Sequence, residues 1–544
     1  MTIPTDLDRA RQLIFAANEE AAKELLLSLG PQIEEADRDD LMLEVLAQLG
    51  ELYLVRTAYD GVREAIRRID ECLGVYRSIR AGTDPEAAAT ATMPDDEIDH
   101  MLCRYTRRAQ FLRTGLAAAG HGDHEGAELA LLVLCDDGSG AAFPDLADEH
   151  RFLITYAQIF CATALCDDDL HVQSVPLWDK VIEAIDESMD GGTSADHLLV
   201  VGATGYGRFC IETGRLSEAE PWLRRAGARA EAHEWELATA RTQLERGTAA
   251  WAVGDRALTQ DLVHAAYPAI AKGNRAHDVS RSWLYLGLIS ISVGELDDAD
   301  ERLGYAERHW REVEKPLHIH RVLLQRSWVD ILRRDFGAAA EKTAQARELL
   351  DSWPRHSWLQ YARLDDHMGS ILRAEALADP ANASAKLEQS AEWKVPAALA
   401  VDSVRHAIVD VDARMRWATF VSARILAGAF AVAWEWGNTE LLSQLIEYHS
   451  ARGAFSTQPS DSATAEWMET ATAAVPVEAA DEYALVAAGS ASVAVASGLT
   501  RLGPLPPLRM DPNTPPLLSR YRGLAFERYG RDITADEVAW STWP

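Results

Sequence analysis

The chain is 544 residues long and 48% of them are hydrophobic, enough to bury a large core across several domains or one extended repeat array. Its 53 Lys and Arg against 85 Asp and Glu leave a formal charge of −32, a surface that repels phosphate backbones and anionic lipid heads. These numbers exclude nucleic acid and membrane as expected partners and favour a basic or neutral protein or peptide.

The first residues, MTIPTDLDRARQ, lack a basic segment followed by an apolar run, so no secretory leader is expected. The six cysteines are Cys72, Cys103, Cys135, Cys161, Cys166 and Cys210, with no Cys-x-x-Cys pair. Most lie in apolar helical stretches, which suits buried thiols in a reducing, cytoplasmic compartment.

Residues 1–198 read as N-terminal helical hairpins. Leu49-Gly50-x-x-Tyr53, with Tyr59 in a turn and Ile66 beyond, outlines one. Ala81–Asp96, AGTDPEAAATATMPDD, is a polar insertion expected to be a loop. Gly115, Gly122-Asp123, Ala127 and Leu131 outline a second hairpin. Tyr156 to Ile185 outlines a third, with an enlarged turn at Asp167-Asp168-Asp169.

Residues 199–350 carry the clearest repeat. Gly214, Gly254, Gly294 and Arg334 each open a turn, at a constant step of 40 residues. Four columns keep the same step. They are Gly207, Gly247, Gly287 and Ser327; Ala219, Thr259, Ala299 and Ala339; Leu223, Val263, Leu303 and Thr343; and Ala226, Ala266, Ala306 and Ala346. A helix closing on Gly, a polar turn and a second helix with a small residue at the crossing describe a hairpin. One hairpin cannot cover its own apolar face, so neighbours must stack.

Trp283-x-x-Leu286-Gly287, then Ser290, Ala299-x-x-x-Leu303 and Ala306, resembles the tetratricopeptide repeat (TPR) of the long-period bacterial type. It departs at Ser290, where an aromatic is usual, and in its period of 40 against about 34. Longer turns between repeats are expected to account for the difference. The resemblance implies an all-α fold, a TPR-like α-solenoid of stacked antiparallel hairpins with a helical and Pro-rich tail.

Residues 351–454 keep helical periodicity without the register, interrupted at Asp379-Pro380. Residues 455–544 form a linker, an Ala-rich helix near 478–502, a Pro-rich piece, a short amphipathic helix near Leu517–Tyr529 and a tail with Trp540 and Trp543. The apolar stretch Tyr483–Leu499 is too short and too rich in Ala, Ser and Gly for a membrane span. The run LGPLPPLRM, with RYG and EVAWSTW after it, is similar to the C-termini of TPR proteins encoded beside actinobacterial CHAT-domain, caspase-like proteases. That likeness implies such a protease as the partner.

Candidate chemistry is sparse. His121-Gly-Asp123-His124 has the look of a metal cluster but occupies a turn, where solvated polar residues are expected. Cys161 and Cys166, with His171 nearby, stand five apart in an apolar run and read as buried structural cysteines. His318 and His320 lack a third ligand nearby, and Asp167-Asp168-Asp169 lacks the Gly and distal Glu of a calcium loop. No phosphate loop, His-Glu-x-x-His or Gly-x-Ser-x-Gly occurs. No enzyme, cofactor or metal site is therefore assigned.

The resemblance places the first helix of each hairpin on a concave face. The register projects Thr204, Arg208 and Ile211 there, then Leu244, Thr248 and Trp251. Leu288 and Ile291 follow, then Leu324, Trp328 and Ile331. An apolar helix or an aromatic-bearing extended segment is the expected ligand. The chain's own Trp540 and Trp543 are candidates to fill this groove. Arg208, as a groove residue, is expected to be dispensable for stability. The expected function is a protein-binding scaffold; a ligand-sensing regulatory module and an enzyme with an unrecognised site are the alternatives.

Overall fold

Apolar residues three and four apart, closed by Gly or a small polar turn, fold here into helices. The computed structural model describes residues 2–136, 142–187, 192–408, 410–451 and 517–531, and these contain no β-strand. Two compact units divide between Ser282 and Trp283.

The first unit opens with α1 (Ile3–Phe15), α2 (Glu19–Glu35), α3 (Asp39–Val55) and α4 (Tyr59–Arg80). A short α5 (Pro85–Thr90) precedes α6 (Asp95–Gly115) and α7 (His124–Cys135). Then come α8 (Ala147–Asp167), α9 (His171–Glu187), α10 (Gly192–Glu212) and α11 (Leu216–Ala232). The unit continues through α12 (Glu236–Val253) and α13 (Arg256–Gly273) into α14 (Ala276–Val293), which carries the boundary. The second unit adds α15 (Leu296–Glu312), α16 (Pro316–Leu332), α17 (Phe336–Ser352), α18 (Trp358–Ala378) and α19 (Ala383–Ala407). It ends with α20 (Val411–Arg416), α21 (Ala423–Trp436), α22 (Thr439–Ala451) and α23 (Ser519–Tyr529). Consecutive helices pack as hairpins: α1 with α2, α3 with α4, α6 with α7, α8 with α9, α10 with α11, α12 with α13, α16 with α17 and α18 with α19.

Each turn obeys one rule. Gly214, Glu234, Gly254, Asn274, Gly294, Glu314 and Arg334 all take the left-handed conformation, with φ between 48° and 91°. They recur every 20 residues, so the turns within and between hairpins are geometrically alike. At six of the seven, the next amide reaches back to the carbonyl five residues earlier, as Arg215 does to Cys210 at 2.7 Å and Asp335 to Asp330 at 2.9 Å. This bond closes the preceding helix. Ala17, Asp37 and Thr57 repeat the same conformation at the N-terminus.

The 40-residue period therefore arises from helix length, not from long inter-repeat turns. From α11 to α17 each helix has 17 or 18 residues, separated by two or three. The turn after Asp167 is likewise only three residues, with Asp169 left-handed, rather than enlarged.

The four repeating columns lie where the helices of each hairpin cross. A Cβ on Gly207 would stand 2.6 Å from Leu223 Cδ2, and one on Gly287 would stand 2.8 Å from Leu303 Cγ. The second-helix columns, headed by Ala219, Leu223 and Ala226, are fully buried. The fourth repeat swaps the Gly–Leu contact for a polar one. Ser327 Oγ donates to the Ala339 carbonyl at 3.0 Å and lies 2.8 Å from His367 Nε2.

Other expectations need adjustment. The stretch Ala81–Asp96 is not simply a loop: it holds α5, whose Ala87 amide donates to Asp84 Oδ1 at 3.0 Å. The C-terminal amphipathic helix forms over Ser519–Tyr529 and buries Tyr521, Ala525 and Tyr529 on α18 and α19. Tyr529 donates its hydroxyl to Asp365 at 2.7 Å, and the Arg528 guanidinium sits 4.2 Å from the Trp393 ring centre. Residues 455–516, Trp540 and Trp543 lie outside the described residues. The continuous helix Val411–Trp436 has the length and apolarity of a membrane span, yet half of its most apolar window is buried. Ile425, Leu426, Ala429, Val432 and Ala433 belong to the core of the second unit.

Candidate functional site

In the first unit the helices α3, α6, α8, α10 and α12 pack side by side along one wall. Their inward faces carry charge as well as apolar surface. Glu44 of α3 meets Arg11 at 2.6 Å and Arg108 at 3.4 Å. Arg108 and Arg104 of α6 also hold Glu149 of α8, at 2.6 and 2.8 Å. Burial alone pushes the Glu44 carboxyl up, but Arg108, Arg11 and Arg104 outweigh it and hold the group well below the usual carboxylate range. Two turns along α3, Glu51 is raised by its burial, which Arg108 and Arg11 only partly offset.

Further along the wall, Arg208 of α10 bridges Asp167 at 2.6 Å and Glu212 at 2.8 Å. Glu212 also faces His171 at 3.2 Å. Burial opposes the Glu212 charge, and Arg208 and His171 restore it, leaving its carboxyl far below the ordinary range.

The N-terminal hairpin returns onto this wall. Phe15, at the end of α1, stacks on His197 of α10, with ring centres 4.2 Å apart and planes 18° apart. It meets Trp235 edge-on at 6.5 Å and Phe152 at 6.3 Å. Four residues later Glu19 reaches Arg275 at 2.8 Å and Arg56 at 3.2 Å. Phe15 and Glu19 are both buried. An aromatic anchor and a carboxylate four residues on thus occupy a socket of rings and guanidinium groups. Inside it, burial and the charges of Arg275 and Arg241 push His197 down to about 3, so its imidazole is neutral.

The projected groove residues separate into groups. In the first unit, Ile211, Leu244 and Thr248 are buried packing residues. Thr204 donates back to the Val200 carbonyl at 2.6 Å. Trp251 is half-buried, with the Arg256 guanidinium 3.5 Å from its ring centre. Arg208 is no free surface cation, because the ion pairs above hold it. In the second unit, Ile291 and Ile331 are buried, while Leu288, Leu324 and Trp328 keep partial exposure. Trp328 meets His367 edge-on at 5.0 Å.

Of the polar candidates, His121, Asp123 and His124 turn apart. His121 faces Arg63 at 3.2 Å, Asp123 accepts from the Gly126 amide, and His124 pairs with Asp168 at 2.8 Å. His318 stacks on Trp310 with ring centres 4.2 Å apart, and buried His320 lies 3.3 Å from the Ala346 carbonyl. Cys161 is buried, as expected. Cys166 and His171, however, come together with Glu212, one donor atom of each within 4.8 Å of the others.

The socket residues Phe15, Glu19, His197, Trp235 and Arg275 were absent from the projection. Glu19 and Arg275 are 256 residues apart, and only the folding-back of the array joins them.

These helices define an all-α protein, an α-solenoid of stacked antiparallel hairpins. No protein-family model matches the chain, and no curated protein matches it. Among solved structures, the chain is similar to a Rap protein complexed with competence and sporulation factor. That match has a TM-score of 0.40 and 14% identity, and it covers 71% of this chain and 96% of that one.

Proposed function

We propose that the chain is a non-enzymatic, cytoplasmic scaffold that binds a protein or peptide partner on the inner wall of its first unit. The observation that carries this reading is the seating of Phe15 and Glu19. The wall already accepts an aromatic side chain in a ring-lined socket and a carboxylate between two arginines. A partner segment with an aromatic residue and an acid four residues later, held across a tight turn as Ala17 holds Phe15 and Glu19, would satisfy the same groups. In this reading the N-terminal hairpin holds the wall shut, and a partner displaces it.

The test uses the full chain and its Phe15→Ala/Glu19→Ala variant, immobilised and offered the CHAT-domain protease that the tail resemblance implies. Hydrogen exchange in α1 and α2 verifies that the hairpin has loosened. Capture raised about tenfold or more in the variant supports the reading. A loosened hairpin with unchanged capture of a partner that the native chain does bind would sink it. A chain ending after Arg531 separates the role of the tail, because it keeps α23 and removes only Trp540, Trp543 and their neighbours. Loss of the partner then makes the tail the docking element, and gain makes it a plug.

A further inference from the structure

We infer that Cys166, His171 and Glu212 form a binding site for a thiophilic divalent metal ion of the zinc class. The three come from the end of α8, the start of α9 and the end of α10, gathered at one end of the helices. On one continuous helix, residues five apart diverge. Here α8 stops at Asp167, left-handed Asp169 reverses the chain, and Cys166 and His171 converge across the turn.

The donor set is a thiol, an imidazole and a carboxylate, with one atom of each within 4.8 Å of the others. Zinc sits about 2.0–2.3 Å from such donors, which puts them roughly 3.5 Å apart, so the side chains close by about 1 Å to embrace it. Magnesium and calcium select all-oxygen shells and do not suit this set.

A second observation points to a ligand. His171 is buried, Nε2 faces Glu212, and Nδ1 has no hydrogen-bond partner. A buried imidazole nitrogen left without a partner is costly, and metal ligation is one of the few uses for it. The surroundings fix the other donors. Arg208 holds Glu212 through Oε1 at 2.8 Å, which leaves Oε2 facing the imidazole. Ser174 Oγ lies 3.5 Å from Cys166 Sγ. Burial keeps the Cys166 thiol protonated in the metal-free chain. Binding therefore forms a metal–sulfur bond as the S–H bond breaks, and the thiol proton leaves to solvent. Three protein donors leave one coordination position for water. Glu212 keeps a quarter of its side-chain surface exposed, and ions enter from that side.

The experiment is a cobalt(II) titration of the reduced full-length chain. The expected result is one equivalent bound, with a near-ultraviolet thiolate-to-cobalt charge-transfer band that zinc bleaches. Cys166→Ser loses that band, and Cys161→Ser, altered at a buried cysteine of the same helix outside the cluster, keeps it. The native chain decides first, whatever the variants do to folding: no thiolate band in it overturns the site. A band that persists in Cys166→Ser also overturns it, because the cobalt then sits on another cysteine.

Discussion

At the scale of single residues, conformation and burial separate positions that look alike in the sequence. Gly294 and Arg334 hold corresponding turn positions, with φ of 83° and 62°. Glycine adopts this region freely, and a side chain costs roughly 1 kcal/mol there. Arg334→Gly should raise the urea midpoint, with a gain of about 0.5–1 kcal/mol, and Gly294→Ala should lower it by a similar amount. Arg208 gives the opposite lesson. The register placed it on an open groove, where truncation to Ala would leave stability unmoved. Its guanidinium instead joins Asp167 and Glu212 at a largely buried position, so removing it strands two carboxylates. Arg208→Ala should cost about 3 kcal/mol in chemical denaturation; a melt within error of the native one would mean that the pairs are not formed in solution.

At the scale of the helix, the repeat is a packing device. The columns of Gly, Ala and Leu recur because two helices of 17 or 18 residues cross at the same points in every hairpin. Ala299 is completely buried at such a crossing. Ala299→Trp should destabilise the second unit by roughly 1–3 kcal/mol or more, read as a lowered Tm, because the core has no room for an indole. These columns were legible from the sequence, since sterics at a crossing admit few side chains. Three of the seven turns were not. Glu234, Asn274 and Glu314 adopt the same left-handed conformation as the glycines, but Glu carries no local signal for it. The tertiary packing of long helices imposes that conformation and offsets its cost. The inter-repeat turns thus appeared longer than they are.

At the scale of the whole molecule, each unit carries a segment that returns to it. In the first, α1 closes through Phe15 onto His197 of α10 and Trp235, the residue before α12, while α23 docks on α18 and α19 of the second. The first closure contains its own titratable group. The folded state holds His197 near 3, against 6.5 for the unshifted group, so unfolded or opened chain binds a proton more readily. Stability from this group is full above pH 6.5 and falls as pH drops toward 3, by about 1.4 kcal/mol for each unit once below 6.5. His197→Gln should therefore flatten the change in Tm between pH 7 and pH 5, before most carboxylates titrate. An unchanged slope would place the acid sensitivity elsewhere, with buried His367, pushed down to about 3 by burial and by Lys394 and His320, as the next group to replace.

By itself the sequence determined the helical class, the 40-residue repeat, the buried columns and the acidic surface. Each of these depends on local spacing or on a sum over residues. Tertiary structure alone decided which inward residues are open. Ion pairs such as Glu19 with Arg275, and the stacking of Phe15 on His197, join positions hundreds of residues apart. No periodicity encodes such partners. They meet because a long series of near-identical helix crossings and turns carries the last helices of the first unit back to its beginning.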